Sequence, residues 1–247
     1  MIPELILYAA LAGLFGGFIN GFSGTGTALF GLGFLLVALP PAQAVLVIAT
    51  VSVLAGLQGL WVVRATIPKT RGRILLFVLP GLLGIPLGLA SLQFVSAEGL
   101  RMLVGTFLVV YGGYFSFRRA LPQLPASMPW RDGMVGLISG VLGGLASLSG
   151  ALPAIWLSMR DWPKADIRAV MQSFNVAILA TTAAALILRG AFTAQTATAL
   201  AVALPVGVLS AQLGIWMFRR LTDIQFRRTL IGLCLLMGLG IMGSALF

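Results

Sequence analysis

The chain has no histidine and a single cysteine, Cys234, among 247 residues. The first absence removes the commonest general base and the commonest metal ligand. The second leaves no disulfide framework and no cysteine-based metal site. Acidic residues are almost as scarce: Glu4, Glu98, Asp132, Asp161, Asp166 and Asp223 are the whole set, and each lies in or near a loop. No carboxylate is therefore placed for a proton relay or a charged sodium site inside a bilayer. Basic residues are missing ahead of the first apolar stretch, where Glu4 is the only charge. A secretory leader needs a basic start, so this stretch reads as a retained first helix. No cofactor, metal or catalytic residue is expected.

What the chain does have is apolar surface: 59% of its residues are hydrophobic, only 9% are charged, and the mean hydropathy is +1.05. That composition lies far outside the soluble range and reads as an all-α polytopic membrane protein. The net charge of +10 does not point to nucleic acid, because the basic residues sit in short loops between long apolar runs, where membrane topology signals sit.

Apolar windows fall at 5–22, 27–39, 42–63, 74–92, 99–117, 133–146, 150–159, 169–188, 195–218 and 229–246. Between the fifth and sixth, the stretch 118–132 (RRALPQLPASMPWRD) is rich in proline and charge and reads as a linker. The chain thus divides into a first repeat at 1–117 and a second at 133–247, each of five hydrophobic segments. The halves match residue by residue. Gly13, Gly17 and Gly21 pair with Gly136, Gly140 and Gly144 at an offset of 123; Arg64 pairs with Arg189 at 125; Gly81, Gly88 and Arg101 pair with Gly207, Gly214 and Arg227 at 126. Such a small drift, falling in loops, is the mark of a duplicated unit.

An odd number of segments per half makes the second copy enter the membrane from the opposite side. Loop counting then places Arg64, Lys69, Arg71, Arg73, Arg118, Arg119, Arg131, Arg160, Lys164, Arg168, Arg219, Arg220, Arg227 and Arg228 on one face, with only Arg101 and Arg189 on the other. The rich face is cytoplasmic by the positive-inside rule, which puts both termini in the periplasm of a bacterial inner membrane.

Each copy carries an interruption. In the first, GLFGGFINGFSGTGT (13–27) runs from an apolar helix into Ser23, Gly24, Thr25, Gly26 and Thr27, and a new apolar run follows to Leu39. About 13 residues of helix rise only about 20 Å, short of the roughly 30 Å hydrocarbon core, so a broken or re-entrant hairpin fits better than two spans. The second copy repeats the device with Ser147, Ser149 and Gly150, then Pro153 in the first turn of a short helix. Interrupted helices in corresponding positions of inverted repeats are the usual sign of a secondary transporter with its site at the bilayer midplane.

A helix that starts inside the membrane offers unpaired N–H groups and the positive end of its dipole, and glycine lets a ligand approach the backbone. Two such starts would make an anion site, with hydroxyls from Ser23, Thr25, Thr27, Ser147 and Ser149 as further donors. Asn20 stands one turn before the first break, and Thr50 matches Asn175 at mid-span, with Gln172 one turn away and Ser52 and Ser173 nearby. The candidate substrate-binding set is thus Asn20, Ser23, Gly24, Thr25, Gly26, Thr27, Thr50, Ser147, Ser149, Gly150, Gln172 and Asn175. The regular glycines 13, 17, 21, 136, 140 and 144 read instead as packing seams. Gln172 and Asn175 fit either interhelical hydrogen bonding or ligand contact. Pro80, Pro86 and Pro205 read as helix kinks.

The stretches GGFINGFSGTGT (16–27), GLISGVLGGLASLSGALPAIWL (136–157) and RDWPKADIRAVMQSFN (160–175) resemble the sulfite exporter TauE/SafE family of bacterial inner-membrane transporters. The run from Trp162 to Asn175 is the most distinctive part of the likeness, and the likeness extends over both halves. Where the family has three glycines and a proline in the first half, this chain has Gly24, Thr25, Gly26 and Thr27. The resemblance implies transport of sulfite, thiosulfate or organosulfonates. Other classes fare worse: a membrane enzyme acting on lipid or isoprenoid substrates usually needs a carboxylate or histidine cluster at the interface, and none is visible. Transport of other small organic acids, or a membrane assembly partner that carries nothing, stays as the alternative. The expected partners are a small anionic substrate and the lipid bilayer, with no nucleic acid and with a homodimer left open. Export needs no coupled ion, since an anion leaving a cell that is negative inside gains about 2.3 kcal/mol per charge per 100 mV.

Overall fold

The computed structural model describes residues 2–117, 125, 128–160 and 162–222, with isolated positions 225, 229, 232, 235 and 239 beyond them. Most of the linker and of the last apolar window, including Cys234, Arg227 and Arg228, therefore lies outside the described residues, as do Asp161 and Asp223. The described residues hold nine helices and no strand: α1 (Ile2–Ser23), α2 (Thr27–Ala38), α3 (Pro41–Val63), α4 (Ile67–Leu92), α5 (Ala97–Phe117), α6 (Pro129–Ala146), α7 (Ala151–Ser158), α8 (Lys164–Leu188) and α9 (Ala194–Arg220).

Each helix coincides with an apolar window, and several run past its edge. α4 begins seven residues before its window, at Ile67 rather than 74, and α8 begins at Lys164 rather than 169. Lysine and arginine are good helix formers, so the hydrogen-bonded ladder continues after the hydrophobic run has ended. The stretch read as linker also ends sooner than 132, because Pro129 sits in the first turn of α6. Its missing N–H costs nothing there and its fixed φ suits the helix.

Helices α1, α3, α4, α8 and α9 are long and apolar enough to cross a membrane. α2 and α7 are not: at 12 and 8 residues, they rise only about 18 and 12 Å against a core of about 30 Å. α3 occupies the middle of the protein. Ala44 to Ala49 are buried on every side of that helix, which is why its sequence is apolar all round rather than along one stripe.

α1 packs along α9, and α4 along α6, through small residues. A methyl added to Gly13 would stand 2.5 Å from the Ala203 carbonyl oxygen of α9, and additions to Gly17 and Gly21 would strike the carbonyls of Gly207 and Ala211. Across the other seam, a methyl on Gly144 would stand 2.6 Å from the Ile85 carbonyl of α4, while Gly136 and Gly140 face the carbonyls of Phe77 and Gly81 in the same way. The glycines bring backbones together closely enough that any side chain would push the helices apart, the usual device for association in lipid. Ser210, in the α9 seam, adds a hydroxyl bond of 3.1 Å to the Gly13 carbonyl.

Candidate functional site

The two interruptions have different local causes. After Ser23 the chain passes through Gly24 (φ 85°) and Gly26 (φ 93°), both left-handed, a conformation that costs other residues about 1–2 kcal/mol. Glycine at both positions lets α1 stop and α2 begin within three residues. Ser23 spends its hydroxyl holding this turn, bonding the Ile19 carbonyl at 2.9 Å and the Thr25 carbonyl at 2.6 Å. In the second interruption Ser147 takes the left-handed position (φ 54°). There the amides of Ser147 and Leu148 bond back to Gly143 and Leu142 at 2.9 and 3.1 Å. This is a Schellman closure, in which glycine usually takes the left-handed place. Ser147 also donates to the Val45 carbonyl of α3, 3.2 Å away, which ties the turn to the central helix.

The interruptions touch. A methyl added to Gly150 would occupy the position of the Thr25 hydroxyl and stand 2.9 Å from Thr25 Cγ2. The start of α7 and the turn leading into α2 therefore meet face to face, and no side chain caps either helix start.

Around that contact lies a buried cluster of amides and hydroxyls. Ser149 donates to Asn175 Oδ1 at 2.6 Å and Thr25 reaches the same oxygen at 3.5 Å, which joins both interruptions to α8. Asn175 Nδ2 donates to Ser52 Oγ on α3 at 3.1 Å. The same Ser52 oxygen accepts from Asn20 Nδ2 at 3.0 Å and from Thr27 Oγ1 at 2.8 Å. Asn20 Nδ2 also donates to Thr27 Oγ1 at 2.7 Å. Gln172 lies against Gly24, Gly56 and Gly59, where added methyls would come within 2.5 to 2.9 Å of its amide. Its Nε2 donates to Asn20 Oδ1 at 3.5 Å, while its Oε1 is buried with no hydrogen-bond partner. An unpaired buried polar atom costs about 1–3 kcal/mol.

The position of the cluster along the helices is central. Ser52 is eleven residues from either end of α3, and Asn175 is eleven from the start of α8 and thirteen from its end. Arg168, two turns before Asn175, is the formal charge beside the first interruption. It is buried and donates from Nη2 to the Gly21 carbonyl at 2.8 Å and from Nη1 to the Phe22 carbonyl at 3.4 Å, with its guanidinium 4.0 Å over the Phe218 ring. A cation on the last carbonyls of α1 complements the negative end of that helix. Among the described residues, no acid takes part in the hydrogen bonds of the cluster. Aspartates pair elsewhere, Asp132 with Arg160 and Trp156, and Asp166 with Arg73 at 2.9 Å.

Of the residues expected from sequence, Asn20, Thr25, Thr27, Ser149, Gly150, Gln172 and Asn175 come together here. Gly24 and Gly26 shape the turn beside them, and Ser23 and Ser147 bond backbone. Thr50 stands apart: it is half-buried and donates to the Leu46 carbonyl of its own helix at 2.8 Å. Ser52, which bonds the first interruption directly and the second through Asn175, was not in the expected set. Two residues rotate a helix by about 200°, so Thr50 and Ser52 face opposite ways. Ser52 could have been chosen from its spacing, since it shares a face with Gly56 and Gly59, four and seven residues on.

A model of the sulfite exporter TauE/SafE family matches residues 9–241. The chain belongs to the TauE/SafE sulfite exporter family. A comparison with curated proteins finds no match. The family match spans both interruptions, most of α1 and the other four long apolar helices whole, so this TauE/SafE protein is a multi-pass membrane protein of a family of sulfur-anion transporters. In such a protein a cluster of hydroxyls, amides and uncapped helix starts, flanked by the Arg168 guanidinium and with no acid among its described residues, has the chemistry to hold an oxyanion by donated hydrogen bonds. It contains no nucleophile and base pair, and no group of three metal-ligating side chains occurs among the described residues.

Proposed function

We propose that this TauE/SafE protein exports a small sulfur-containing anion, sulfite, thiosulfate or an organosulfonate, across a bacterial inner membrane, binding it between the starts of α2 and α7. The observation that carries the proposal is the contact of Thr25 with Gly150, which brings the two uncapped helix starts together. The central place of Ser52 in α3 and of Asn175 in α8 supports a site near the bilayer midplane. In the present state the hydroxyls bond one another and Asn175. An arriving anion would accept those same protons, because a hydroxyl turns about its C–O bond at little cost.

The reading rests on two inverted copies, 1–117 and 133–247, with α2 and α7 as re-entrant halves. Support comes from the crossed seams: Gly13, Gly17 and Gly21 meet Ala203, Gly207 and Ala211, while their repeat mates Gly136, Gly140 and Gly144 meet Phe77, Gly81 and Ile85. Shifting the first set by 123 and its partners back by 126 reproduces the second. The expected orientation, with both termini periplasmic, is supported by Arg64, Arg219 and Arg220 standing at neighbouring ends of α3 and α9. Both helix starts belong to one chain, so a single copy would suffice for binding.

Purified protein in liposomes loaded with sulfite or thiosulfate tests this reading. An imposed potential, negative on the side of the anion, should speed its efflux, since the gradient contributes about 2.3 kcal/mol per charge per 100 mV. Flux that ignores the potential counts against uncoupled anion export, and absence of flux for every sulfur anion counts against the class.

A further inference from the structure

A concavity lies on the outside of the bundle, between the C-terminal ends of α3 and α9, with a volume of about 1080 Å³. Its rim is aromatic and basic. Trp61 and Trp216 stand on opposite walls, 69% and 51% exposed. The Arg64 guanidinium lies 4.1 Å over the first indole and that of Arg220 4.2 Å over the second. Arg219 lines the same rim, and none of its lining residues among those described is acidic. Deeper in, Gln58 and Gln212 meet side chain to side chain, and Gln58 Nε2 donates to the Val208 carbonyl at 3.3 Å. Leu57 and Leu213 supply apolar wall.

We propose that this groove is a binding site for an anionic phospholipid of the leaflet on the arginine-rich side. Charge complementarity selects the occupant: among the described residues the rim gathers guanidiniums with no carboxylate, at the depth where indoles mark the boundary between headgroup and hydrocarbon. Phosphate is held by Arg219, Arg220 and Arg64, guanidiniums being suited to two-pronged bonds with its oxygens. The glutamines lie three to four residues inside the tryptophans, about 4.5–6 Å deeper, where the glycerol esters sit. Each amide brings two N–H donors, and their mutual bond together with that to Val208 uses two of the four. The other two donors can serve ester carbonyls at that depth. Acyl chains then run over Leu57 and Leu213. Orientation alone would be served by arginines anywhere at this end of the molecule, as it is by the exposed Arg71 and Arg131. That requirement does not account for cations seated on two indoles beside a bonded pair of amides.

The site is independent of the transported anion and is tested by binding. Full-length protein in detergent is titrated with phosphatidylglycerol or phosphatidylcholine, and lipid retention is read by native mass spectrometry. Wild type should retain phosphatidylglycerol at concentrations at least tenfold lower than phosphatidylcholine. Replacing Arg219→Gln and Arg220→Gln should weaken phosphatidylglycerol retention about fivefold per arginine, while the equal charge loss in Arg71→Gln with Arg131→Gln leaves it unchanged. Equal retention of the two lipids by wild type overturns the proposal without need of any variant. Equal weakening in both variant pairs overturns it too, as does a dimer that forms through this groove and excludes lipid.

Discussion

Gly150→Ala is the smallest change that acts on the meeting point of the two interruptions. Its φ of −88° is one any residue adopts, so the whole cost is steric. The new methyl would overlap the Thr25 hydroxyl and Cβ and stand 2.9 Å from Cγ2. Forcing one carbon into a filled interior typically costs about 1–3 kcal/mol. For a chain of this size that lowers the melting temperature by about 2–12 °C. Thr25→Gly removes all three of the atoms the methyl would strike, at an entropic cost of about 0.5–1 kcal/mol. In that background Gly150→Ala should cost almost nothing further, so the double-mutant cycle should report a coupling of about 1–3 kcal/mol. Tryptophan fluorescence during thermal unfolding of the detergent-solubilised protein supplies the four melting points. Flux adds a second readout: the double variant recovers stability but lacks the Thr25 hydroxyl, so anion affinity should remain about tenfold or more below wild type. If Gly150→Ala is as costly with glycine at 25 as with threonine, the helix starts are not in contact and the reasoning fails.

Three further outcomes follow from the same geometry. Ser52→Ala takes the acceptor from Thr27 and Asn175, while Asn20 keeps Thr27 Oγ1, and should destabilise by about 1–3 kcal/mol, whereas Thr50→Ala, which loses only a bond to its own helix, should stay within about 0.5 kcal/mol; paired melting curves compare them. Gly24→Ala must carry a side chain at φ 85° and 2.9 Å from Gln172 Oε1, for a loss of at least about 1–2 kcal/mol in the same assay. Arg168→Lys keeps the charge but not the fork that serves the carbonyls of Gly21 and Phe22. Loss of one charged hydrogen bond should lower stability by about 1.5–3 kcal/mol, and a melting point equal to wild type would show that the second carbonyl is not held.

Much of this arrangement is legible in the residues because it is local. A helix must be apolar for about twenty residues to cross hydrocarbon, so the long helices are visible as windows and the short α2 and α7 as windows that end too soon. Helix stops are local as well: the left-handed turns at Gly24 and Gly26 leave a glycine signature that any reader of the chain meets. Glycine at every fourth place likewise marks a close helix contact. Ser147 hides the same conformation behind a side chain, and only its backbone angles reveal that it closes α6.

Composition, segment lengths, breaks and packing stripes were thus determined by the sequence, since each depends on neighbours within a turn or two of helix. Which stripe meets which was decided by tertiary structure alone: the glycines of α1 state that a backbone comes close, without saying that it belongs to α9, 190 residues on. The choice of Ser52 over Thr50, the seating of Arg168 on the end of α1, and the touch of Thr25 on Gly150 are of the same kind. Each depends on how far whole helices rotate and slide against one another, a quantity set by the sum of all their contacts and written in no single segment.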